Sequence, residues 1–161
     1  LLRRFKDDPS SLILVSYSLI TIMDDSEEVE RVNSKFYQAF ESLSIEQMED
    51  VWSHNDNTIC VHPGWDLFTG WLAIRESWIR IFQSTQAIKF VITNTKIKIT
   101  KDIAIVVCLE NIGNVVDGQE IKFGVLATNI FERQNKKWLM IHHHGSTVTN
   151  YLQPNISSDV N

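Results

Sequence analysis

The sequence is poor in cysteine and in positive charge, and it lacks an apolar run long enough to cross a bilayer. Its two cysteines, Cys60 and Cys108, sit in separate strand-like runs without the spacing of a zinc site. They read as buried free thiols, which suits a reducing compartment and a cytoplasmic protein. Lys and Arg total 15 against 20 Asp and Glu, for a formal charge of -5. The clustered cationic surface that phosphate contacts need is therefore absent, and nucleic acid is not an expected partner. No H-x-x-x-H pair occurs, and no Ser or Cys lies in a nucleophile-elbow context. Neither a metal nor another cofactor is expected, and covalent catalysis by Ser or Cys finds no support.

What is present divides cleanly. At 161 residues the chain suits one domain around a single core. The opening "LLRRFKDDPSSLILVSYSLITIM" places basic residues before about a dozen mostly apolar ones, too few to span a membrane. Its "DDP" interrupts the order of a signal peptide, and no small-residue cleavage site follows. Residues 1–23 are read as an appendage, residues 24–150 as the domain and residues 151–161 as a polar tail.

Within the domain the period changes once. In "MDDSEEVERVNSKFYQAFESL", Val29, Val32, Phe36, Phe40 and Leu43 recur at helical spacing, with acids at the positive end of the helix dipole. "SIEQMEDVW" follows, with Ser44 and Gln47 spaced as a capping box. "DNTICVHPGW" reads as a brief strand stopped by Pro63 and Gly64, and "GWLAIRESWIRIF" restores the helical period. From residue 86 onward, four β-branched and aromatic-rich runs are separated by short polar turns. Three helices, one small strand and then four long strands predict an α+β fold with an antiparallel meander.

This order, with the phrases "VWSHNDNTICVHPGW", "GWLAIRESWIRIF", "VCLEN", "LATNIFER" and "KWLMIHHHGS", resembles the nuclear transport factor 2-like superfamily and its SnoaL-like group. The resemblance spans roughly residues 25–150. It implies a cone: a curved antiparallel sheet packed on three N-terminal helices, with an apolar cavity for a small hydrophobic ligand. It also implies a homodimer formed through the outer sheet face. The superfamily includes isomerases, dehydratases and non-catalytic assembly modules, so the resemblance leaves enzyme and assembly readings both open.

Candidate site residues follow from the same phrases. His62 precedes Pro63, where the steroid-isomerase members carry their acidic base, and an imidazole there is suited to proton transfer near neutral pH. Their first-helix tyrosine corresponds to Phe36, which has no hydroxyl. In the triplet His142-His143-His144, strand alternation groups His142 and His144 with Trp138, Met140 and Ser146, and His143 with Leu139, Ile141 and Gly145. By the resemblance His143 faces the cavity, while His142 and His144 look outward to the surface or the dimer partner. Glu110, after "IAIVVCL", is either a solvated strand end or an inward carboxylate able to work with the histidines. The expected catalytic set is thus His62, His143 and Glu110, with Tyr37, Trp52, Trp65 and Asn129 as ligand-binding residues and no metal.

Overall fold

The computed structural model describes residues 24–116 and 118–152. The N-terminal appendage, and the tail from residue 153, lie outside the described residues. Helix α1 runs Asp25–Glu41. Asp24 caps it by accepting from the Ser26 N–H, and the Glu27 carboxylate accepts from the Asp24 N–H, so both halves of a capping box form. Its buried face carries Val29, Val32, Asn33, Phe36, Tyr37 and Ala39, so two polar side chains enter the interior along an otherwise apolar stripe. Helix α2 spans Ile45–Val51, and Ser44 Oγ accepts from the Gln47 N–H at 3.2 Å. The Gln47 side chain turns instead to the Ser42 hydroxyl, so this capping box is half formed.

Strands β1 (Ile59–Val61) and β2 (Leu67–Thr69) precede helix α3 (Trp71–Ser84). The meander then consists of β3 (Ala87–Thr100), β4 (Ile103–Val116), β5 (Gln119–Gln134) and β6 (Lys137–Thr147). The six strands lie in the order β2-β1-β6-β5-β4-β3. All neighbouring pairs are antiparallel except β1 and β6. The single short strand read from the sequence is therefore two, and the parallel β1–β6 pair makes the sheet mixed at that end. The curved, unclosed sheet packs on the three helices as an α+β cone of the nuclear transport factor 2-like kind.

Strict alternation along β6 does not survive. Ile130 pairs with His142 while Phe131 pairs with Met140, so Ile141 is an extra residue, a β-bulge. The bulge reverses the phase of everything after it. Trp138, Met140, His143 and Gly145 all lie buried, whereas His142 and His144 turn to the other side. The grouping of His142 and His144 with Trp138 and Met140 is thus overturned.

Gly145 has a specific reason to lack a side chain. A Cβ there would sit 3.0 Å from both Pro63 Cγ and Val125 Cγ1. The "HPG" turn closes directly onto β6 because this position is bare.

The core between helices and sheet is aromatic. Phe36 and Trp78 meet edge to face at 5.6 Å, and Phe40 joins Trp78 at 4.9 Å. Full burial of each such ring contributes about 1.5–3 kcal/mol.

Candidate functional site

A hydrogen-bonded chain of side chains runs through this apolar interior. Tyr37 Oη, from the buried face of α1, donates to Glu110 Oε1 on β4 at 2.9 Å and lies 3.2 Å from Cys108 Sγ. Asn129 on β5 gives its amide hydrogens to Asn33 Oδ1 (2.8 Å) and Tyr37 Oη (3.2 Å). The Asn129 carbonyl oxygen then accepts from His143 Nδ1 at 2.6 Å. These assignments make His143 a neutral Nδ1–H tautomer. Strand register produces the cluster: Glu110, Cys108, Asn129 and His143 all occupy concave-face positions of neighbouring strands.

Burial sets the protonation states. Glu110 is held up at about 7, mainly by desolvation, against the opposing hydrogen bond from Tyr37. Tyr37 is raised well above its ordinary value by burial and by the nearby Glu110 and Cys108. Burial also pushes the Cys108 thiol up to about 11. His143 falls well below the ordinary histidine range because it is desolvated, with His62 and the flanking histidines adding repulsion.

His62 stands apart from that chain. Its Nε2–H donates to Ser77 Oγ at 2.9 Å, and the Ser77 hydroxyl donates onward to the Ile74 carbonyl at 2.6 Å. Trp78, Trp65 and Phe68 surround the ring at centroid distances of 4.6, 5.4 and 5.8 Å. The His143 ring is 6.4 Å away. Burial, then the charge of Arg80, lower His62 to about 4. His62 is therefore neutral near pH 7, and Glu110 is the group held near 7.

A cleft of about 320 Å³ opens between α1 and β3. Asn33, Tyr37, Phe90, Ile92 and Ile97 are in its wall, and Glu30 and Glu41 bring negative charge to it. Tyr37 and Asn33 both link this cleft to the buried chain. Of the other predicted ligand-binding residues, Asn129 lies within the chain and is fully buried. Trp52 is a core residue, stacked on Trp71 at 6.3 Å and bridged to Met140. Trp65 is 40% exposed and borders a shallow cleft with Phe68 and Arg80, whose guanidinium lies 5.4 Å over the Trp65 ring.

Sequence reasoning missed Asn33, Cys108 and Ser77. For Asn33 and Ser77 a signal existed: each is a polar residue on the apolar stripe of a helix, four residues before Tyr37 and three after Ile74. Cys108 carried none beyond its alternation with Glu110. Among the described residues no cluster of His, Cys, Asp and Glu has the geometry to hold a metal. No described helix is long and apolar enough to cross a membrane.

Comparison with known proteins agrees with this architecture. The family model described as SnoaL-like domain matches residues 29–150. The chain is 30% identical over 117 residues to the F-box protein SKIP8 of Arabidopsis thaliana, and that match spans 73% of this chain but 48% of the relative. The chain thus spans about half the length of that curated relative. Among solved structures, a candidate dehydratase of the NTF2-like family from Streptomyces avermitilis is similar at 31% identity and a TM-score of 0.72, covering 77% of this chain and 96% of that one. A candidate calcium/calmodulin-dependent protein kinase type II association domain from Thiobacillus denitrificans follows at 27% identity and a TM-score of 0.68, over 74% and 94% of the two chains.

Proposed function

The chain belongs to the SnoaL-like domain family, and from that premise we propose that it binds a small apolar molecule between α1 and β3 and acts on it without a cofactor. The chemistry proposed is acid–base, of the isomerase or dehydratase kind. One observation carries this reading: Tyr37 lines the cleft while its hydroxyl is hydrogen-bonded to Glu110, a buried carboxyl placed near 7.

The pair works as a proton relay. When Glu110 is ionised, Tyr37 spends its hydrogen bond on the carboxylate. When Glu110 is protonated, the carboxyl donates to Tyr37 Oη, and the phenol is released to donate to a ligand oxygen in the cleft. Protonation of that oxygen moves one proton from Tyr37 to the ligand and one from Glu110 to Tyr37, leaving Glu110 as carboxylate. A carboxyl near the working pH suits general acid catalysis, and an apolar surround strengthens the hydrogen bond. Asn129, held by His143 and Asn33, is a positioning residue that keeps the Tyr37 hydroxyl aimed. In this scheme Glu110 supplies the proton as the acid, in place of a base at His62, whose ring lies behind Trp65 and Phe68.

Titration of isotopically labelled protein with small cyclic ketones and alcohols tests this. Saturable shifts at Asn33, Tyr37, Phe90 and Ile97 are expected, with ketone binding weakened about tenfold in Tyr37→Phe by loss of one hydrogen bond. Shifts confined to surfaces away from α1 and β3 would overturn it.

A second reading, a dimerisation module, is favoured by the convex face of the sheet. Ile59, His142, Ile130 and Ile105 stand opposite one another across β1, β6, β5 and β4. Val91 and Leu126 are exposed beside them. We propose that this face forms a homodimer. The two buried free thiols suit the reducing cytoplasm as its location.

A further inference from the structure

On the other flank of α1, a second cleft of about 390 Å³ lies between that helix, the end of α2 and the β5–β6 turn. Its charge is the opposite of the chain's. Arg31 and Lys35, one turn apart on α1, line it together with Lys136 from the turn and Lys137 from the start of β6. The carboxylates are Glu28 and Asp50, so four cations meet two anions and leave an excess of two positive charges. The whole chain carries -5. None of the four cations forms an ion pair among the described residues, whereas Arg75, Lys89, Lys122 and Arg133 all do.

Two further features mark the cleft as more than a solvated patch. Val32, Val51 and Leu139 give it apolar walls. Trp138, which also borders it, is 3% exposed, yet its indole N–H has no hydrogen-bond partner. A buried donor left unpaired costs roughly 1–3 kcal/mol. One face of the indole is covered by the Arg133 guanidinium at 4.5 Å. Lys136 holds a left-handed backbone conformation at φ 65°, which turns the β5–β6 connection tightly beside α1.

We propose that this cleft binds an organic phosphate monoester, with the phosphate among Arg31, Lys35, Lys136 and Lys137 and the organic part against Val32, Val51, Leu139 and Trp138. A phosphate monoester carries about -1.5 to -2 at neutral pH, which matches the excess charge of the lining. Arg31 supplies the planar fork that pairs with two phosphate oxygens, and the lysines act as mobile point charges. The site lies across α1 from the Tyr37 cleft and shares none of its lining residues.

Titration of the labelled full chain with phenyl phosphate, with inorganic phosphate and with phenol separates the contributions. Saturable shifts of the Trp138 indole N–H and of the Lys136 and Lys137 amides are expected with phenyl phosphate. Inorganic phosphate should bind more weakly, and phenol should leave these signals in place. In Arg31→Gln/Lys136→Gln the phenyl phosphate affinity should fall at least about tenfold, roughly the loss of two exposed charge contacts. Both positions are on the surface, so retained spectral dispersion confirms the fold of the variant. A linear drift shared equally by Lys89 and Lys122, at the opposite end of the sheet, would mean charge screening only and would overturn the proposal. So would an unchanged affinity in the double variant.

Discussion

Met140 and His143 face the same interior although only two residues separate them on one strand, because Ile141 bulges out of register. The consequence is that adjacent histidines have separate tasks. His143 pairs inward with Asn129, and His142 and His144 stand on the convex face 6.3 Å apart.

This division is open to substitution. His142→Ala with His144→Ala is expected to weaken the proposed dimer and leave the monomer's melting temperature nearly unchanged. His143→Ala should do the reverse: the Asn129 carbonyl loses its donor inside the core, at a cost of about 1–3 kcal/mol plus that of the space vacated. Sedimentation equilibrium reads the first effect and denaturant unfolding the second. A dimer lost in His143→Ala alone would contradict the assignment of faces.

The buried carboxyl should make high pH destabilising in one window. Glu110 rises from 4.5 to about 7 on folding, so the native state holds a proton that the unfolded chain releases. Its contribution is fully present below pH 4.5 and is lost as the pH climbs through about 7. The change is roughly 3 kcal/mol. Glu110→Gln keeps the acceptor for Tyr37 but cannot ionise. The stability difference between variant and parent should therefore grow in the variant's favour from pH 4.5 to 7 and level off above. A flat difference curve would show that Glu110 ionises as freely in the fold as outside it.

The two interior histidines act in the opposite sense. His62 drops from 6.5 to about 4 on folding, and His143 falls as well. Their contribution is complete above about pH 6.5 and is lost as the pH falls towards 4. For His62 the magnitude is again roughly 3 kcal/mol. Acid unfolding of His62→Gln should accordingly have a shallower pH dependence than that of the parent. Equal slopes would mean that His62 is protonated within the fold.

Turnover, once a substrate is found, should have a telling direction. Glu110 acting as acid through Tyr37 makes the rate fall as pH rises through about 7. A base at His62 would instead give a rate flat above about pH 5 and falling below it. Tyr37→Phe should lower kcat while leaving the binding of hydrocarbon analogues intact, and kinetics at two pH values separates the two schemes.

Much of the architecture was legible because it rests on local rules. The acids at the start of α1, the apolar stripe through Phe36 and the β-branched runs after residue 86 are each local signals. What escaped depends on pairing between distant strands. Nothing near Ile141 announces a bulge, since the extra residue exists only relative to Ile130 and Phe131. The parallel join of Cys60 to His143 is likewise a tertiary fact. The site was half readable for the same reason. Glu110, His143 and Tyr37 stood out by residue type, but their order of contact required Asn129 between them and Asn33 beside it. The sequence singles out His62 by residue type and cannot show the desolvation that lowers it to about 4. Trp52, an expected ligand contact, is a core residue because α2 ends against β6.

The relay between Tyr37 and Glu110 is tested most directly by a carbon-13 NMR titration of the Glu110 carboxyl, with Glu110→Gln to identify its signal. A midpoint near 7 that shifts when Tyr37 is replaced by Phe is expected. A midpoint near 4.5, unmoved by that replacement, would contradict it, because a carboxylate already ionised and indifferent to Tyr37 cannot deliver the proton.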